Sequence, residues 1–304
     1  MMGQSRKVDF FLVGASKSAT TWLHACCSRH PGICTSRPKQ TNYFLDRNEV
    51  PFLKHFPEEN YYERPLGWYH TRFSHAKPGQ MLGDFSPIYF VHPAVAQRIH
   101  DYNPDAKILI LLRHPVDRLV ALHAQILKLF PFPNDLDTAL KEYPEFREEG
   151  LHCEKIKPYF DLFDSSQVFV RIYDDIRHDA LAVLNALFEF LEVDSHIAPE
   201  INSAKTNVRS VTRSRALIRM NYMALKALHS NSLMLRVKDI LTTLKIGSLY
   251  EKVININLRP DSSAGEDIEP ELRQSLLDYY RDDIEKTAQV INRNLSSWLQ
   301  PYDP

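Results

Sequence analysis

The chain has 304 residues, of which 44% are hydrophobic and 25% are charged. This composition is typical of a globular protein with a sizeable core, and the length suits one large α/β domain or two small ones. The formal net charge of -1 gives no indication of a nucleic-acid or membrane partner. The four cysteines, two of them adjacent, do not resemble a secreted disulfide scaffold. The N-terminal apolar run is too short to span a membrane and lacks a signal-peptide cleavage site, so we expect a soluble, cytoplasmic protein.

Strands and helices alternate along the first two thirds of the chain. Continuous apolar runs indicate parallel strands covered on both faces, and they occur at 8–13, 80–83 (a weaker run), 107–112 and 167–173. Amphipathic segments indicate helices, and they occur at 20–29, 92–101, 116–129 and 179–191. Strand and helix alternating at this spacing predict an α/β fold with a parallel sheet and right-handed crossovers.

Two segments interrupt this alternation, 48–78, which is rich in aromatic residues and proline, and 131–149. Both are long for connections in an α/β fold, and long loops at the carboxyl ends of strands often form substrate sites. After Pro199 the sequence is mostly helical, and a last helix is predicted over 271–292. We therefore expect the two long segments to shape a substrate pocket.

The segment DFFLVGASKSATTWL carries the clearest functional signal. An apolar strand ends at Val13, a short Gly-Ala-Ser-Lys-Ser-Ala turn follows, and a helix begins near Thr20. The amide groups at a helix N-terminus and the positive end of its dipole bind phosphate. Lys17 can add a positive charge, and Ser18, Thr20 and Thr21 can add hydroxyl donors. The sequence therefore predicts a P-loop-like phosphate-binding turn, although an ordinary strand–helix turn with a surface lysine remains an alternative.

An ATPase P-loop does not fit this spacing. Counted from Gly14, such a loop needs glycine and then lysine at the fifth and sixth following positions, where this chain has Ala19 and Thr20. The lysine comes earlier, at Lys17. A nucleotide kinase is therefore the weaker alternative.

A second basic motif follows the strand predicted over 107–112. It reads R-H-P-V-D-R-L-V-A and runs from Arg113 to Ala121. The planar guanidinium of Arg113 can donate two parallel hydrogen bonds to a phosphate, and Pro115 suits the first turn of the following helix. Pairing of Arg113 with a carboxylate such as Asp117 is the alternative.

Together, S-K-S-A-T-T-W-L and the Arg113 motif resemble the PAPS-dependent sulfotransferases, which carry P-K-[ST]-G-T-T-x-L and R-x-P-x-x-R-x-x-S at these places. The segments 83–90 and 168–176 resemble two further motifs of that family. The resemblance is closest to bacterial enzymes and to the catalytic domains of heparan sulfate sulfotransferases. It implies a single domain over 1–304 with a central parallel sheet of about four or five strands flanked by helices. It also implies 3′-phosphoadenosine 5′-phosphosulfate (PAPS) as sulfonyl donor, adenosine 3′,5′-bisphosphate (PAP) as product, and no metal.

The resemblance also implies roles for individual residues. Lys17 is expected to stabilise charge on the departing 5′-phosphate, Lys39 the sulfonyl oxygens, and Arg113 to bind the 3′-phosphate. Two basic residues of a later loop, Arg209 and Arg213, are candidates for closing over the nucleotide. The remaining expected nucleotide contacts come from the turn and from the helix after Arg113: Ser16, Ser18, Ala19, Thr20, Thr21, Trp22 and Ala121. The expected acceptor contacts are Asp84, Tyr89 and Trp68, although capping and packing around Pro87 is an equally good role for the first two.

Three positions depart from the family pattern. Gln40 stands where the family carries the glutamate that is its expected general base, and glutamine cannot accept a proton at neutral pH. Three explanations stay open: the reaction needs no carboxylate there, a glutamate was changed to glutamine, or the chain binds PAPS or PAP without catalysis. Ala121 replaces the serine of the 3′-phosphate site. Phe85 replaces a lysine of the heparan-type enzymes, which argues against a polyanionic sugar acceptor.

The predicted reaction is sulfonyl transfer from PAPS to a small-molecule acceptor, first of all a natural product with a hydroxyl, amine or carbamoyl nitrogen. A glycan is the second candidate acceptor. If a base other than residue 40 serves a hydroxyl acceptor, His123 is the most suggestive candidate, since it lies two residues beyond Ala121. No histidine shows metal-ligand spacing with cysteine or carboxylate residues.

Overall fold

The computed structural model describes residues 6–56, 58–195, 210–212, 214–229, 257–260 and 268–300. The two arginines predicted to close over the nucleotide, Arg209 and Arg213, lie outside the described residues. No helix in the described part of the chain is both long and apolar enough to cross a membrane.

A five-stranded parallel sheet forms the centre of the fold. Its strands are β1 (Phe10–Gly14), β2 (Ile33–Thr35), β3 (Met81–Phe85), β4 (Lys107–Leu112) and β5 (Val168–Ile172). They lie in the order β2-β3-β1-β4-β5, and all neighbouring pairs are parallel. The predicted α/β fold with four or five parallel strands is confirmed. The sequence did not indicate β2, because its three residues are too few for an apolar run to stand out.

Helices cover both faces of this sheet. They are α1 (Thr20–Cys27), α2 (Leu66–Thr71), α3 (Ala94–Tyr102), α4 (Pro115–Leu129), α5 (Leu136–Glu142), α6 (Cys153–Leu162), α7 (Tyr173–Phe190), α8 (Arg215–His229) and α9 (Pro270–Val290). Strands β6 (Ser210–Thr212) and β7 (Leu258–Pro260) form a separate antiparallel pair. The long segment 48–78 contains a 3₁₀ turn at Pro51–His55 and α2, and 131–149 contains α5 and most of a second 3₁₀ turn, Pro144–Gly150.

Helix α7 begins at Tyr173, earlier than the predicted start at Asp179, and this difference has a local cause. Asp179 has the non-helical φ of -148° and interrupts the helix. Its Oδ1 accepts a hydrogen bond from the amide of Ala182 at 2.9 Å, which is how an N-cap residue starts a helix. The sequence pattern therefore identified the second half of α7.

The central strand β1 is buried on both faces, as a continuous apolar run predicts. Phe11 and Val13 pack into the larger core layer with residues of α3, α4 and α6. Phe10 and Leu12 pack into the second layer with residues of α1 and α7. Alternate side chains of a strand point to opposite faces, so one short segment joins the two layers.

A 3₁₀ turn, Pro87–Val91, follows β3 and packs directly against the end of β1. A Cβ placed on Gly14 would lie 2.2 Å from Cβ of Phe90 and 3.2 Å from the carbonyl oxygen of Pro87. Real Cβ atoms essentially never approach another atom as closely as the first of these separations, and the second is tighter than nine in ten real Cβ contacts. The close approach of this turn to the segment after β1 therefore requires glycine at position 14.

Replacing Gly14 by alanine tests this requirement. We expect Gly14→Ala to lower the free energy of unfolding by about 1–3 kcal/mol, the usual cost of overpacking, because backbone and Cβ atoms have to move apart. Gly67→Ala is the matched control, since no atom lies within 4 Å of a Cβ built there. Urea unfolding of both variants measures the difference, and equal stability of the two would contradict the close approach.

Candidate active site

The turn after β1 has the geometry of an anion-binding site. Lys17 and Ala19 adopt left-handed backbone conformations, with φ of 69° and 64°. No side chain caps the N-terminus of α1, which leaves its first amide groups to bind an anion. Ser18 is fully buried, and its hydroxyl oxygen has no hydrogen-bond partner among the described residues. Because a buried hydroxyl without a partner is costly, this turn fits an oxyanion such as a phosphate.

The structure brings the two basic motifs together. Arg113 follows β4, and its Nη1 donates to the carbonyl oxygen of Lys17 at 3.3 Å. The Arg113 guanidinium also lies over the ring of Tyr173, 4.8 Å from the ring centroid, in a cation–π contact. The Nζ of Lys17 donates to Oε1 of Gln125 at 3.3 Å. Cationic groups from β1 and β4, neighbours in the sheet, thus meet at its carboxyl edge, where ligands of open α/β sheets bind.

A cavity of about 470 Å³ opens beside this turn. One face of α4 forms a wall with Leu122, Gln125, Ile126 and Leu129, the spacing expected of residues on one side of a helix. The other lining residues fall into two groups. The polar group, next to the turn, consists of Ser16, Lys17, Thr20, Thr21, Gln40 and Asn42. The more apolar group, from the loops, consists of Arg47, Phe52, Leu53, Phe56, Glu58, Pro87, Ile88, Val91, Phe130 and Glu149. The cavity therefore has a polar end and a predominantly apolar end.

Asp84 fixes the position of the segment that carries Gln40 through hydrogen bonds. This carboxylate is fully buried and accepts hydrogen bonds from Thr41 Oγ1 at 2.7 Å and Tyr89 OH at 3.0 Å. Ser86 Oγ also donates to it at 2.7 Å and accepts from the amide of Thr41 at 3.0 Å. Burial raises the pKa of Asp84, and the hydroxyl donors oppose that rise. Asp84 and Tyr89 were expected to contact the acceptor, but both are fully buried and instead position residues 40–44.

Lys39 places a further cation at the polar end. Its Nζ donates to Thr21 Oγ1 at 2.9 Å, so it lies beside the first turn of α1. Burial lowers the pKa of Lys39 to about 8. Burial, with a smaller contribution from the Lys39 charge, also lowers the pKa of His24 to about 4. An anion bound at the turn would favour the charged form of Lys39.

The surroundings of His123 do not suit a catalytic base. Its side chain is buried, its Nε2 is 2.8 Å from the carbonyl oxygen of Pro133, and the rings of Phe132 and Phe146 flank it. Burial lowers the pKa of this imidazole. It does not line the cavity, because residue 123 lies on a different side of α4 from Gln125.

Other expected contacts also lie away from the cavity lining. Trp22 packs against the second core layer. Trp68 stacks between the ring of Tyr61 and the guanidinium of Arg72. The Tyr61 and Trp68 ring centroids are 5.0 Å apart, and Cζ of Arg72 lies 4.0 Å from the Trp68 ring centroid. Ala121 lies on α4 but does not line the cavity. Gln125, one helical turn further along α4, does line it and accepts a hydrogen bond from Nζ of Lys17. Phe85 is buried in the core and does not line the cavity.

Sequence reasoning missed five polar lining residues: Asn42, Arg47, Glu58, Gln125 and Glu149. Gln125 could have been found, because it follows Ala121 by one helical turn and therefore lies on the same face. Asn42 lies two residues after Gln40 in the segment that the sequence did single out. Glu58 and Glu149 belong to the two long segments and Arg47 directly precedes the first of them, and no periodic pattern indicates the paths of these segments. Among the described residues, no group of three or more histidine, cysteine or acidic side chains could hold a metal ion.

Comparisons with known proteins identify the family of this chain. The family model described as the sulfotransferase domain matches residues 7–236. Human heparan sulfate glucosamine 3-O-sulfotransferase 6 is 30% identical over 131 residues, which are 42% of this chain and 33% of that protein. Human bifunctional heparan sulfate N-deacetylase/N-sulfotransferase 2 is 24% identical over 66% of this chain and 23% of its own length. The chain thus spans a third or less of the length of these relatives.

A solved structure resembles the whole fold. The sulfotransferase from Alicyclobacillus acidocaldarius superposes with a TM-score of 0.64 at 22% identity, covering 97% of this chain and 100% of that one. At this identity the likeness concerns the fold, and it extends to nearly every element.

The charge of Lys39 should make the affinity of the polar end for PAP depend on pH. Its pKa is about 8, so it is charged below that pH and loses its charge above it. The nucleotide phosphates are already ionised above pH ~7. We therefore expect the affinity for PAP to fall roughly tenfold between pH 7 and 9. Lys39→Arg, which stays charged throughout this range, should largely remove the fall. Calorimetric titration at several pH values measures it, and identical pH profiles of the two proteins would contradict the role of Lys39.

Proposed function

Because the chain belongs to the PAPS-dependent sulfotransferase family, we propose that it transfers the sulfonyl group of PAPS to a hydroxyl or nitrogen of a small, largely apolar acceptor. The observation that carries the proposal is the cavity that joins the anion-binding turn to an apolar wall. A donor nucleotide at the polar end and an acceptor at the apolar end would meet near Lys17 and Gln40. The predicted cytoplasmic location and natural-product acceptor remain predictions.

The polar end supplies groups for both ends of the nucleotide. The amides at the start of α1, together with the hydroxyls of Ser18, Thr20 and Thr21, suit the 5′-phosphosulfate. Arg113, fixed over Tyr173, suits the 3′-phosphate because a guanidinium donates two parallel hydrogen bonds. Ala121 supplies no hydroxyl to this site, and Gln125, one helical turn further along α4, accepts a hydrogen bond from Lys17 instead.

Transfer of the sulfonyl group is an in-line displacement in which position and charge stabilisation supply most of the acceleration. The acceptor atom bonds to sulfur while the bond from sulfur to the 5′-phosphate oxygen breaks. Negative charge then grows on that oxygen, and Lys17, which is part of the turn that would hold the phosphate, can stabilise it. Lys39, bonded to Thr21, can neutralise the sulfonyl oxygens.

The apolar end favours an acceptor with little charge. Arg47 is the one cation among the described residues that line this end, and its contacts are already made. Its Nη1 pairs with Glu58 Oε2 at 2.9 Å, and its Nη2 donates to the carbonyl oxygen of Leu53 at 3.3 Å. Binding a polyanion requires cations that are able to exchange their partners. The lining therefore supports an uncharged acceptor over a sulfated glycan.

A hydrogen-bond donor on the acceptor would complete the polar end. Oδ1 of Asn42 is buried, lines the cavity region, and has no hydrogen-bond partner among the described residues. Gln40 lies two residues before it in the chain and can accept a hydrogen bond but not a proton. A hydroxyl or N–H group entering from the apolar end would satisfy these amide oxygens, which supports such a nucleophile.

A glycan acceptor is the second candidate, and it rests on the names of the relatives, which act on heparan sulfate. The test measures sulfonyl transfer from PAPS to a set of apolar alcohols, phenols and amines and, separately, to heparan sulfate oligosaccharides. We expect turnover with members of the apolar set and none with the oligosaccharides. The reverse result would favour the glycan, and PAP binding without turnover of any acceptor would favour a binding protein.

Removal of the Lys17 side chain should mainly affect kcat, whereas removal of the Arg113 side chain should mainly affect the affinity for PAP. Lys17→Ala should lower kcat by about 10²–10³, the usual cost of losing one donor to developing charge. Arg113→Ala should mainly raise the Kd for PAP, by about 1.5–3 kcal/mol in binding free energy, because the 3′-phosphate does not react. Lys157→Ala, on the exposed face of α6, is the control for loss of a positive charge. Steady-state kinetics and calorimetry measure both quantities, and equal, mild effects of the two substitutions would show that the nucleotide lies elsewhere.

A further inference from the structure

A second cavity, of about 370 Å³, shares a wall with the cavity that opens beside the turn after β1. We call it the outer pocket, and its lining comes from the two long segments and from α8. Phe56 and Phe130 line both cavities. Their ring centroids are 4.6 Å apart, which is a usual distance for paired aromatic rings. This pair of rings therefore separates the apolar end of the first cavity from the outer pocket.

The outer pocket has an excess of positive charge. Lys54, His55 and Lys226 contribute to its lining, and none of the described lining residues is acidic. The carboxylate of Glu145 lies 2.8 Å from Nε2 of His55, so this carboxylate already has a partner. Lys54 and Lys226 are exposed and form no ion pair with any residue in the described part of the chain. Unlike Arg47 in the first cavity, these two lysines can therefore bind an anion without giving up a partner.

The rest of the outer pocket is mainly aromatic. The ring of Tyr222 on α8 meets that of Phe130 edge-on, with centroids 6.5 Å apart. The rings of Phe132 and Tyr143 pair at 4.7 Å. An apolar chain can pack against such rings, while a charged group at its end remains in contact with water and the lysines. The lining therefore suits a molecule with an apolar body and a single anionic end.

Helix α4 sets the distance between the polar end and the outer pocket. Gln125 contacts Lys17 at the polar end, and Phe130, five residues further, is the C-cap of α4. At 1.5 Å per residue the two positions are about 7.5 Å apart along the helix axis. An extended chain covers about 1.2 Å per bond. The outer pocket therefore begins about six bonds from a nucleophile beside Lys17, and an anionic group inside it lies about eight to ten bonds away.

We propose that the acceptor is an amphiphile whose far end is anionic. Its hydroxyl or amine reacts near Lys17, its apolar body fills the first cavity, and a carboxylate or phosphate at its other end binds Lys54 and Lys226. The chain passes between the rings of Phe56 and Phe130, which turn about their side-chain bonds as it enters. The part inside the first cavity stays uncharged, as the lining of that cavity requires. This inference rests on the proposed sulfonyl transfer and names the class of acceptor.

Acceptors matched in length but different in charge test the proposal. They are decanol, hydroxydecanoate and aminodecanol, each with its functional groups at the two ends of the chain, and hexanol and hydroxyhexanoate as short analogues. We expect kcat/KM for hydroxydecanoate to exceed that for decanol by about tenfold, the effect of two exposed ion pairs, and aminodecanol to be the poorest. Hydroxyhexanoate should have no advantage over hexanol, because its carboxylate does not reach beyond Phe130. Added salt should reduce the preference, because it screens exposed charges.

Variants of the two lysines locate the anionic end. Lys54→Ala and Lys226→Ala should each lower kcat/KM for hydroxydecanoate by about two- to fivefold and leave that for decanol unchanged. Lys226→Glu should shift the preference from hydroxydecanoate towards aminodecanol. Arg219→Ala is the matched control, because it removes an exposed positive charge from the same helix but from the lining of a different cavity. It should leave the preference unchanged.

Binding of decanoate to the protein saturated with PAP, measured by calorimetry, gives a readout that needs no turnover. Weaker binding when Lys54 and Lys226 are both replaced by alanine supports the outer pocket. Absent binding, equal affinity of the two proteins, or equal kcat/KM for decanol and hydroxydecanoate would overturn the proposal. A loss in Arg219→Ala as large as in the lysine variants would also overturn it, by assigning the effect to the general charge of the surface. Absence of transfer to every acceptor, with decanoate binding still dependent on the lysines, would refute the proposed function and support the pocket.

Discussion

Asp84, a buried carboxyl group that has no ion pair among the described residues, holds together the parts of the site that come from different strands. It lies at the end of β3, and hydroxyl groups from Thr41, Ser86 and Tyr89 donate to it, as does Tyr69 of α2. A charge in a fully buried place is tolerable only when its hydrogen bonds are satisfied. The segment after β2, the turn after β3 and α2 must therefore assemble around Asp84 together. The position of Gln40 relative to β1 depends on this assembly.

The carboxyl edge of the sheet also needs support from the C-terminal part of the chain. Arg293 donates two hydrogen bonds to Asp175 at the start of α7. Trp298 Nε1 donates to Asp174 at 3.1 Å, and the Trp298 carbonyl oxygen lies 2.9 Å from Nε2 of His114. His114 directly follows Arg113, so the last described residues tie the turn after β4 to the end of β5. This tie fixes the backbone from which Arg113 reaches toward Lys17.

How far the sequence predicted the site depends on how local each signal is. The turn that carries Lys17 and the turn that carries Arg113 each follow a strand, and parallel strands bring both to one edge, so their proximity was predictable. Asp84 was recognised as special, but its side chain was assigned to the acceptor because a sequence does not show that four hydroxyls converge on it. Glu149 gave no signal, since its place at the cavity follows from a 3₁₀ turn packed on α9, and such turns have no periodic pattern.

The neutral side chain at position 40 has an electrostatic consequence for the donor. A glutamate at position 40 would lie next to Lys39 in the chain and near the sulfonyl group, where its charge would repel the anionic nucleotide. The neutral amide of Gln40 leaves the charge of Lys39 fully directed at the donor, although burial lowers the pKa of this lysine to about 8.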